Sequence, residues 1–182
     1  MRRVVTANEG GMSLIEVLMV VIVVAVSLGV ALPSLQGVVA NSRMNSARSR
    51  ITMTFAQARQ EAVARAREVV ICPAGTDGSC ATARGWHHGW LSFEDRNGDG
   101  VRGGDEPQIA LGEPTAGVKI VATGGRRLLR YQPDGSASGS NVTLTFCDHR
   151  GAGHATALAL NNAGRLRRVA VAPQNVTAAC AE

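Results

Sequence analysis

From Met12 to Leu32 the chain is apolar at nearly every position, broken only by Ser13, Glu16, Ser27 and Gly29. A segment apolar on all sides suits a helix in lipid rather than one lying on a core, and about twenty such residues suffice to cross a bilayer. After Pro33 the pattern changes. Met44, Ala47, Ile51, Phe55, Ala58, Ala62, Ala66 and Val69 recur at steps of three and four, with Arg43, Arg48, Arg50, Arg59, Arg65 and Arg67 falling between them. That is an amphipathic stripe. The two patterns together predict one helix from about Met12 to about Glu68, bent near Pro33 and Gly37. Its first half is expected to span the membrane and its second half to lie on a folded domain.

Beyond residue 69 short β-rich runs alternate with Gly, Pro, Asn and Asp. Strands are predicted near 69–72, 89–94, 108–111, 118–122, 128–131, 142–147, 156–160 and 166–171. The fold class is therefore α+β: a long N-terminal helix packed on an antiparallel β domain.

The entry to the apolar run is unusual. Gly10-Gly11-Met12-Ser13-Leu14-Ile15-Glu16 follows a short polar head carrying Arg2 and Arg3. A secretory signal places its cleavage site after the apolar run, whereas the candidate cleavage point here, Gly11-Met12, lies before it. This arrangement resembles the prepilin leader of the type IV pilin and type II secretion pseudopilin superfamily. The resemblance implies that a prepilin peptidase cuts after Gly11 and methylates the new N-terminus at Met12. It also places Glu16 at the fifth mature position and Pro33 at the twenty-second. Met12 departs from the phenylalanine usual at the first mature position. A carboxylate inside a membrane span needs a partner, so Glu16 is expected to pair with the free amine of a neighbouring subunit during assembly. The expected organisation is a leader at 1–11, a transmembrane half-helix at 12–32, an amphipathic half-helix at 33–68 and a periplasmic β-rich domain at 69–182.

Four internal passages narrow the resemblance: Ile71-Cys72-Pro73 with Asp77-Gly78-Ser79-Cys80, Gly89-Trp90-Leu91-Ser92-Phe93 leading into Asp95, Tyr131-Gln132-Pro133-Asp134-Gly135, and Asn162-Ala163-Gly164-Arg165-Leu166-Arg167. Together they resemble the GspH/FimT/FimU family of type IV minor pilins and type II secretion minor pseudopilins. A pilin-like fold is implied. So are other pilin or pseudopilin subunits as partners, and location in the bacterial inner membrane as a single-pass protein whose C-terminal domain faces the periplasm. The implied role is to prime or cap a pilus and to bind DNA at its tip for uptake in natural transformation. The alternative is a secretion pseudopilin resembling GspH.

Charge adds a direction. The formal net charge is +5, but residues 33–68 carry six Arg against two Glu, residues 69–114 three Arg against seven acids, and residues 115–182 eight basic against three acidic groups. The last segment is the electropositive end, suited to a polyanion. Gly164-Arg165-Leu166-Arg167 resembles the Gly-Arg-x-Arg motif associated with DNA binding in FimT-type minor pilins. A strand at 166–171 would set Arg165 and Arg167 on one side at period two. Arg168 completes the densest basic cluster, and Lys119, Arg126, Arg127 and Arg130 would join it if the last strands are neighbours. Only one Tyr occurs, and no aromatic residues interleave the cluster, so phosphate rather than base contacts are expected.

Four cysteines in an oxidising compartment suggest disulfides. They allow three pairings. Cys72 with Cys80, eight positions apart across a Pro- and Gly-containing turn, is the economical one, leaving Cys147 for Cys180. Asp95, Asn97, Asp99 and Glu106, with Gly100 at the sixth position, match the spacing of a calcium loop. Their flanks read as strands instead of helices, so a polar hairpin is the favoured reading and no cofactor is expected. His87, His88, His149 and His154 show no helical metal spacing. No nucleophile elbow, phosphate loop or dinucleotide fingerprint occurs, so the chain is not expected to be an enzyme.

Overall fold

The computed structural model describes residues 12–81 and 85–180, with the side chains of residues 30–34 left aside. Gly11 lies outside the described residues. The chain divides into two compact units, residues 1–39 and 40–182, and helix α1 (Leu14–Arg65) contributes to both.

In the first unit the carbonyl of Ser13 accepts the amides of Glu16 and Val17, opening the helix. Glu16 sits in the first turn, where a carboxylate complements the helix dipole. Ser27 Oγ donates to the Val23 carbonyl at 2.7 Å, hiding its hydroxyl against its own backbone as a polar residue in an apolar helix tends to do. Leu14, Ile15, Val21 and Val23 are exposed. Among the described residues no helix is long and apolar enough to cross a membrane. The fully described part of the apolar run, residues 14–29, rises about 24 Å against about 30 Å of hydrocarbon, and Val30, Ala31 and Leu32 continue it in sequence.

In the second unit the stripe lies where its period puts it. Ala40, Met44, Ala47, Ile51, Phe55, Ala58 and Ala62 are buried, but Ala66 is not. The helix stops at Arg65, three residues before the expected end. Ala66 turns left-handed at φ 51°, its amide reaching the Val63 carbonyl while the amide of Arg67 reaches that of Ala62. These two bonds form a Schellman ending.

Eight strands follow: β1 (Glu68–Pro73), β2 (Trp90–Asp95), β3 (Gln108–Gly112), β4 (Val118–Ala122), β5 (Leu129–Tyr131), β6 (Val142–Asp148), β7 (Thr156–Leu160) and β8 (Leu166–Val169). They form two antiparallel four-stranded sheets, in the orders β3-β2-β1-β5 and β4-β6-β7-β8. One core joins the helix stripe to Val69, Ile71 and Trp90 of the first sheet and Ile120, Leu144, Phe146 and Leu160 of the second. A smaller cluster of Val70, Cys72, Leu91 and Phe93 fills the other face of the first sheet. Trp90 Nε1 donates to Thr54 Oγ1 at 2.9 Å inside the core, so the indole is buried without losing its hydrogen bond.

The β8 strand ends at Val169, two residues short of expectation, and a helix α2 (Pro173–Cys180) follows that the hydrophobic pattern did not announce. Disulfides link Cys72 to Cys80 and Cys147 to Cys180. The second ties α2 to β6.

Candidate functional site

The basic C-terminal motif occupies the corner between β7 and β8. Residues 161–165 close this hairpin: the Gly164 amide donates to the Asn161 carbonyl at 2.9 Å, and the Arg165 amide to Asn161 Oδ1 at 2.9 Å. Gly164 has φ +74°, and a Cβ there would run into the Gly135 carbonyl oxygen. Only glycine fits such a place without strain. Its carbonyl accepts from Tyr131 Oη at 3.3 Å, and the Ala137 amide donates to the Asn162 carbonyl at 2.8 Å. Arg59 of α1 reaches both loops, donating from Nε to the Gly135 carbonyl at 2.8 Å and from Nη2 to the Ala163 carbonyl at 3.4 Å. The Tyr-Gln-Pro-Asp-Gly and Asn-Ala-Gly-Arg segments are thus one locked corner, latched to the helix. Burial pushes the Tyr131 phenol up to about 12, which keeps it a donor.

The strand register sorts the arginines. Leu166 pairs with Leu160, Arg167 with Ala159 and Arg168 with Leu158. Directly paired residues share a face, and Leu158 and Leu160 belong to the core. Leu166 and Arg168 therefore lie on the face toward α1, and Arg167 on the opposite one. Arg165 immediately precedes the strand, its carbonyl accepting the Asn161 amide at 3.2 Å where the hairpin closes. Arg165, Arg167 and Arg168 are all exposed, and among the described residues none of their guanidiniums has a hydrogen-bond or ion-pair partner.

The other four cations lie on other elements. Lys119 is on β4, at the far edge of the same sheet with two strands between, about 14 Å away at roughly 4.8 Å per strand. Arg126 donates to the Gly139 carbonyl, and Arg127 follows it in the segment leading to β5. Arg130 belongs to the other sheet, where its guanidinium bridges Glu68 and Asp95. One group escaped the sequence reading: Arg48, on the helix beside Arg168. Burial, and then the charge of Arg168, holds its pKa below the ordinary guanidinium value. Its place in the amphipathic stripe was visible, but its neighbour more than a hundred positions away was not.

The calcium-spaced segment has its oxygens engaged. Asp95 Oδ1 accepts the Gly98 amide at 2.8 Å and Oδ2 the Gly100 amide at 2.9 Å, with Arg130 Nη1 at 3.0 Å from the same Oδ2. Asp99 accepts from Val101 N and from Asn97 Nδ2. Glu106 takes the amides of Arg96 and Gly103 at 2.7 and 2.8 Å. The carboxylates that a calcium ion would need close the hairpin instead, and Arg130 supplies the positive charge. Among the described residues no group of three or more His, Cys, Asp or Glu is placed to hold a metal ion. The rings of His87 and His88 have centroids 4.1 Å apart and are tilted by 43°.

The family model described as type II transport protein GspH matches residues 47–174. No match was found among curated proteins. Among solved structures, the chain is similar to the type IV minor pilin FimU of Pseudomonas aeruginosa strain PAO1 in two crystal forms. In space group P21 the TM-score is 0.58 at 18% identity, covering 74% of this chain and 95% of that one. In space group P65 it is 0.51 at 19% identity, covering 71% and 97%. At these identities the likeness speaks for the fold, and the family match spans well over half of the sequence: the chain belongs to the GspH family, and its α+β architecture is that of a pilin.

Proposed function

We propose that this chain is a minor pilin of a type IV pilus, anchored by residues 12–32 in the bacterial inner membrane, which primes or caps the filament and binds DNA at its tip. One observation carries the DNA part of this reading. Arg167 and Arg168 on the edge strand β8, and Arg165 just before it, stand exposed with no carboxylate engaging them among the described residues, while Arg65, Arg96, Arg130 and Arg150 all have acidic partners. A fold that pairs its structural arginines and leaves three adjacent ones open has a surface suited to phosphate. The anchoring part is supported by the exposed apolar side chains of the first unit, and the assembly part by Glu16 at the start of that helix. In this reading the leader is removed after Gly11 by prepilin peptidase, Met12 is methylated, and Glu16 pairs with a neighbouring subunit's amine. The second reading, a type II secretion pseudopilin, is favoured by the description of the matching family. In it the same arginines would contact the next subunit.

The test is complementation of cells lacking the native gene. Glu16→Ala should insert into the membrane, since removal of an intramembrane charge eases insertion, yet be depleted from sheared filaments. Arg165→Ala with Arg167→Ala should enter filaments normally and lose DNA binding for all sequences alike, with a salt slope flatter by about two. Unaltered DNA binding by the double variant, with a secretion defect in cells lacking the gene, would transfer the protein to the second reading.

A further inference from the structure

The closed corner leaves a cleft of about 490 Å³ between α1 and the start of β8, with Thr52, Ala56, Arg59 and Gln60 on the helix wall and Arg165 and Leu166 on the other. Positions 52, 56, 59 and 60 fall on one helix face by their spacing. Arg59 is half-buried there. Its Nε donates to the Gly135 carbonyl and its Nη2 to the Ala163 carbonyl, while its Nη1 makes no hydrogen bond among the described residues. These bonds fix the guanidinium in place without neutralising it, because both acceptors are uncharged. Arg165 starts close by: a Cβ on the preceding residue, Gly164, would lie 3.3 Å from Arg59 Nε. The Arg165 amide is pinned to Asn161 Oδ1 at 2.9 Å, and its guanidinium has no partner among the described residues. No carboxylate among the described residues lines the cleft. Asp134, on the loop that Arg59 grips, turns its Oδ1 to the Ser136 amide at 2.8 Å.

A cation held by neutral partners, with a second cation on the facing wall and no acid between them, draws an anion into the space. We propose that Arg59 of α1 and Arg165 of the hairpin hold one phosphodiester of duplex DNA between them in this cleft, at a site separate from the phosphate met by Arg167. A phosphodiester has two unbridged oxygens, so each guanidinium can address one of them. Gln60 adds an amide donor on the helix wall, and Ala56 and Leu166 offer apolar surface to the adjoining sugar. Arg167 lies on the opposite face of the sheet, so it reaches a different phosphate. Phe55 and Tyr131, which also border the cleft, are each only 1% exposed. Bases therefore cannot stack on them, and the cleft reads backbone instead of sequence. This inference rests on the DNA-binding reading above and adds the helix to its contact surface.

The experiment is a salt titration of duplex DNA of mixed sequence against the full chain in uncharged detergent. Arg59→Gln should weaken binding on the order of fivefold near 0.1 M salt and flatten the log–log slope by about one. In a chain already carrying Arg165→Gln the same change should do little, because the shared phosphate is already lost, whereas beside Arg167→Gln it should keep its full effect. Losses that add for Arg59 and Arg165 would show independent contacts and overturn the shared site. A weaker affinity with an unchanged slope would make Arg59 a holder of the loop and overturn it too. Gln60→Glu leaves the Arg59 latch untouched and places a carboxylate in the cleft, so it tests the site even where Arg59→Gln does not fold. It should weaken binding on the order of tenfold near 0.1 M salt, well beyond Gln57→Glu, which adds the same charge on the side of α1 that meets Ile109. Equal effects of the two would overturn the proposal. Binding lost in Arg165→Ala with Arg167→Ala but insensitive to Arg59→Gln and Gln60→Glu would refute the cleft and leave the DNA reading standing. A parent chain that binds no duplex DNA removes both.

Discussion

At the scale of single residues, the C-terminal Gly-Arg-x-Arg segment divides its work. The resemblance assigned Gly164 and Arg165 to one site, and the structure gives the glycine a separate steric role. With φ +74° and the Gly135 carbonyl in the way of any Cβ, Gly164→Ala carries a left-handed penalty of about 1–2 kcal/mol together with a collision against backbone. Its stability should fall by at least about 2 kcal/mol, read as a lower midpoint in denaturant melts. An alanine variant as stable as the parent would show that the corner gives way easily. The residue types of both motifs were legible in the sequence. Their union was not, because the Arg59 latch spans separations of 76 and 104 positions. The helix end was misplaced for a local reason: the left-handed cap is Ala66, where a glycine would have announced the stop. Cysteine pairing was readable for the opposite reason, since a separation of eight makes Cys72 and Cys80 neighbours whatever the rest of the chain does.

At the scale of elements, the positions of all eight strands could be read from alternation and punctuation, but their partners could not. The order β4-β6-β7-β8 puts Lys119 across the sheet from the arginines it was expected to join. The hairpin of residues 95–106 shows the same limit. Oxygen ligands at calcium spacing are also good acceptors for backbone amides, and what distinguishes the two outcomes here is Arg130 on β5, contributed from outside the segment. Asp95 is fully buried at its side chain, whereas Arg130 is 28% exposed. Removing the cation leaves the buried Asp95 carboxylate with amide donors but no counter-charge, and leaves Glu68 with Gln132 alone. Arg130→Leu should therefore cost about 2–4 kcal/mol, measured by chemical denaturation. The parent's melting temperature should be the same in calcium and in chelator. A calcium-dependent rise in the parent would mean that the ion displaces Arg130 and would reverse this account of the hairpin.

At the scale of the whole molecule, beneath the division into a basic helix, an acidic middle and a basic end, the buried carboxylates Glu94 and Asp148 are each paired with arginine. Hydrogen bonding from Arg96 is the main cause of the lowered carboxyl pKa of Glu94, with Arg65 adding to it. Arg150 does the same for Asp148. Because these folded pKa values are depressed, their stabilisation is present above the unfolded values near 4.5 and 3.8 and is lost as pH falls through the folded ones. His87 acts earlier and in the same direction. Burial first, then the charge of His88, and last that of Lys119, hold its imidazole below the ordinary value of 6.5, against an opposing pull from the Ile120 carbonyl. Above pH 6.5 the ring is neutral in both folded and unfolded chains and contributes no slope. Below it the unfolded chain takes up a proton that the folded chain resists, so stability declines until the folded pKa is reached. Melting temperature should thus be level from pH 8 to about 6.5, fall gently below that, and fall again below about pH 4.5. His87→Gln keeps a neutral polar side chain and should flatten the first decline while leaving the second. Should the parent show no change between pH 6.5 and pH 5, or the Gln variant retain the full upper step, the protonation of His87 is not what the fold resists.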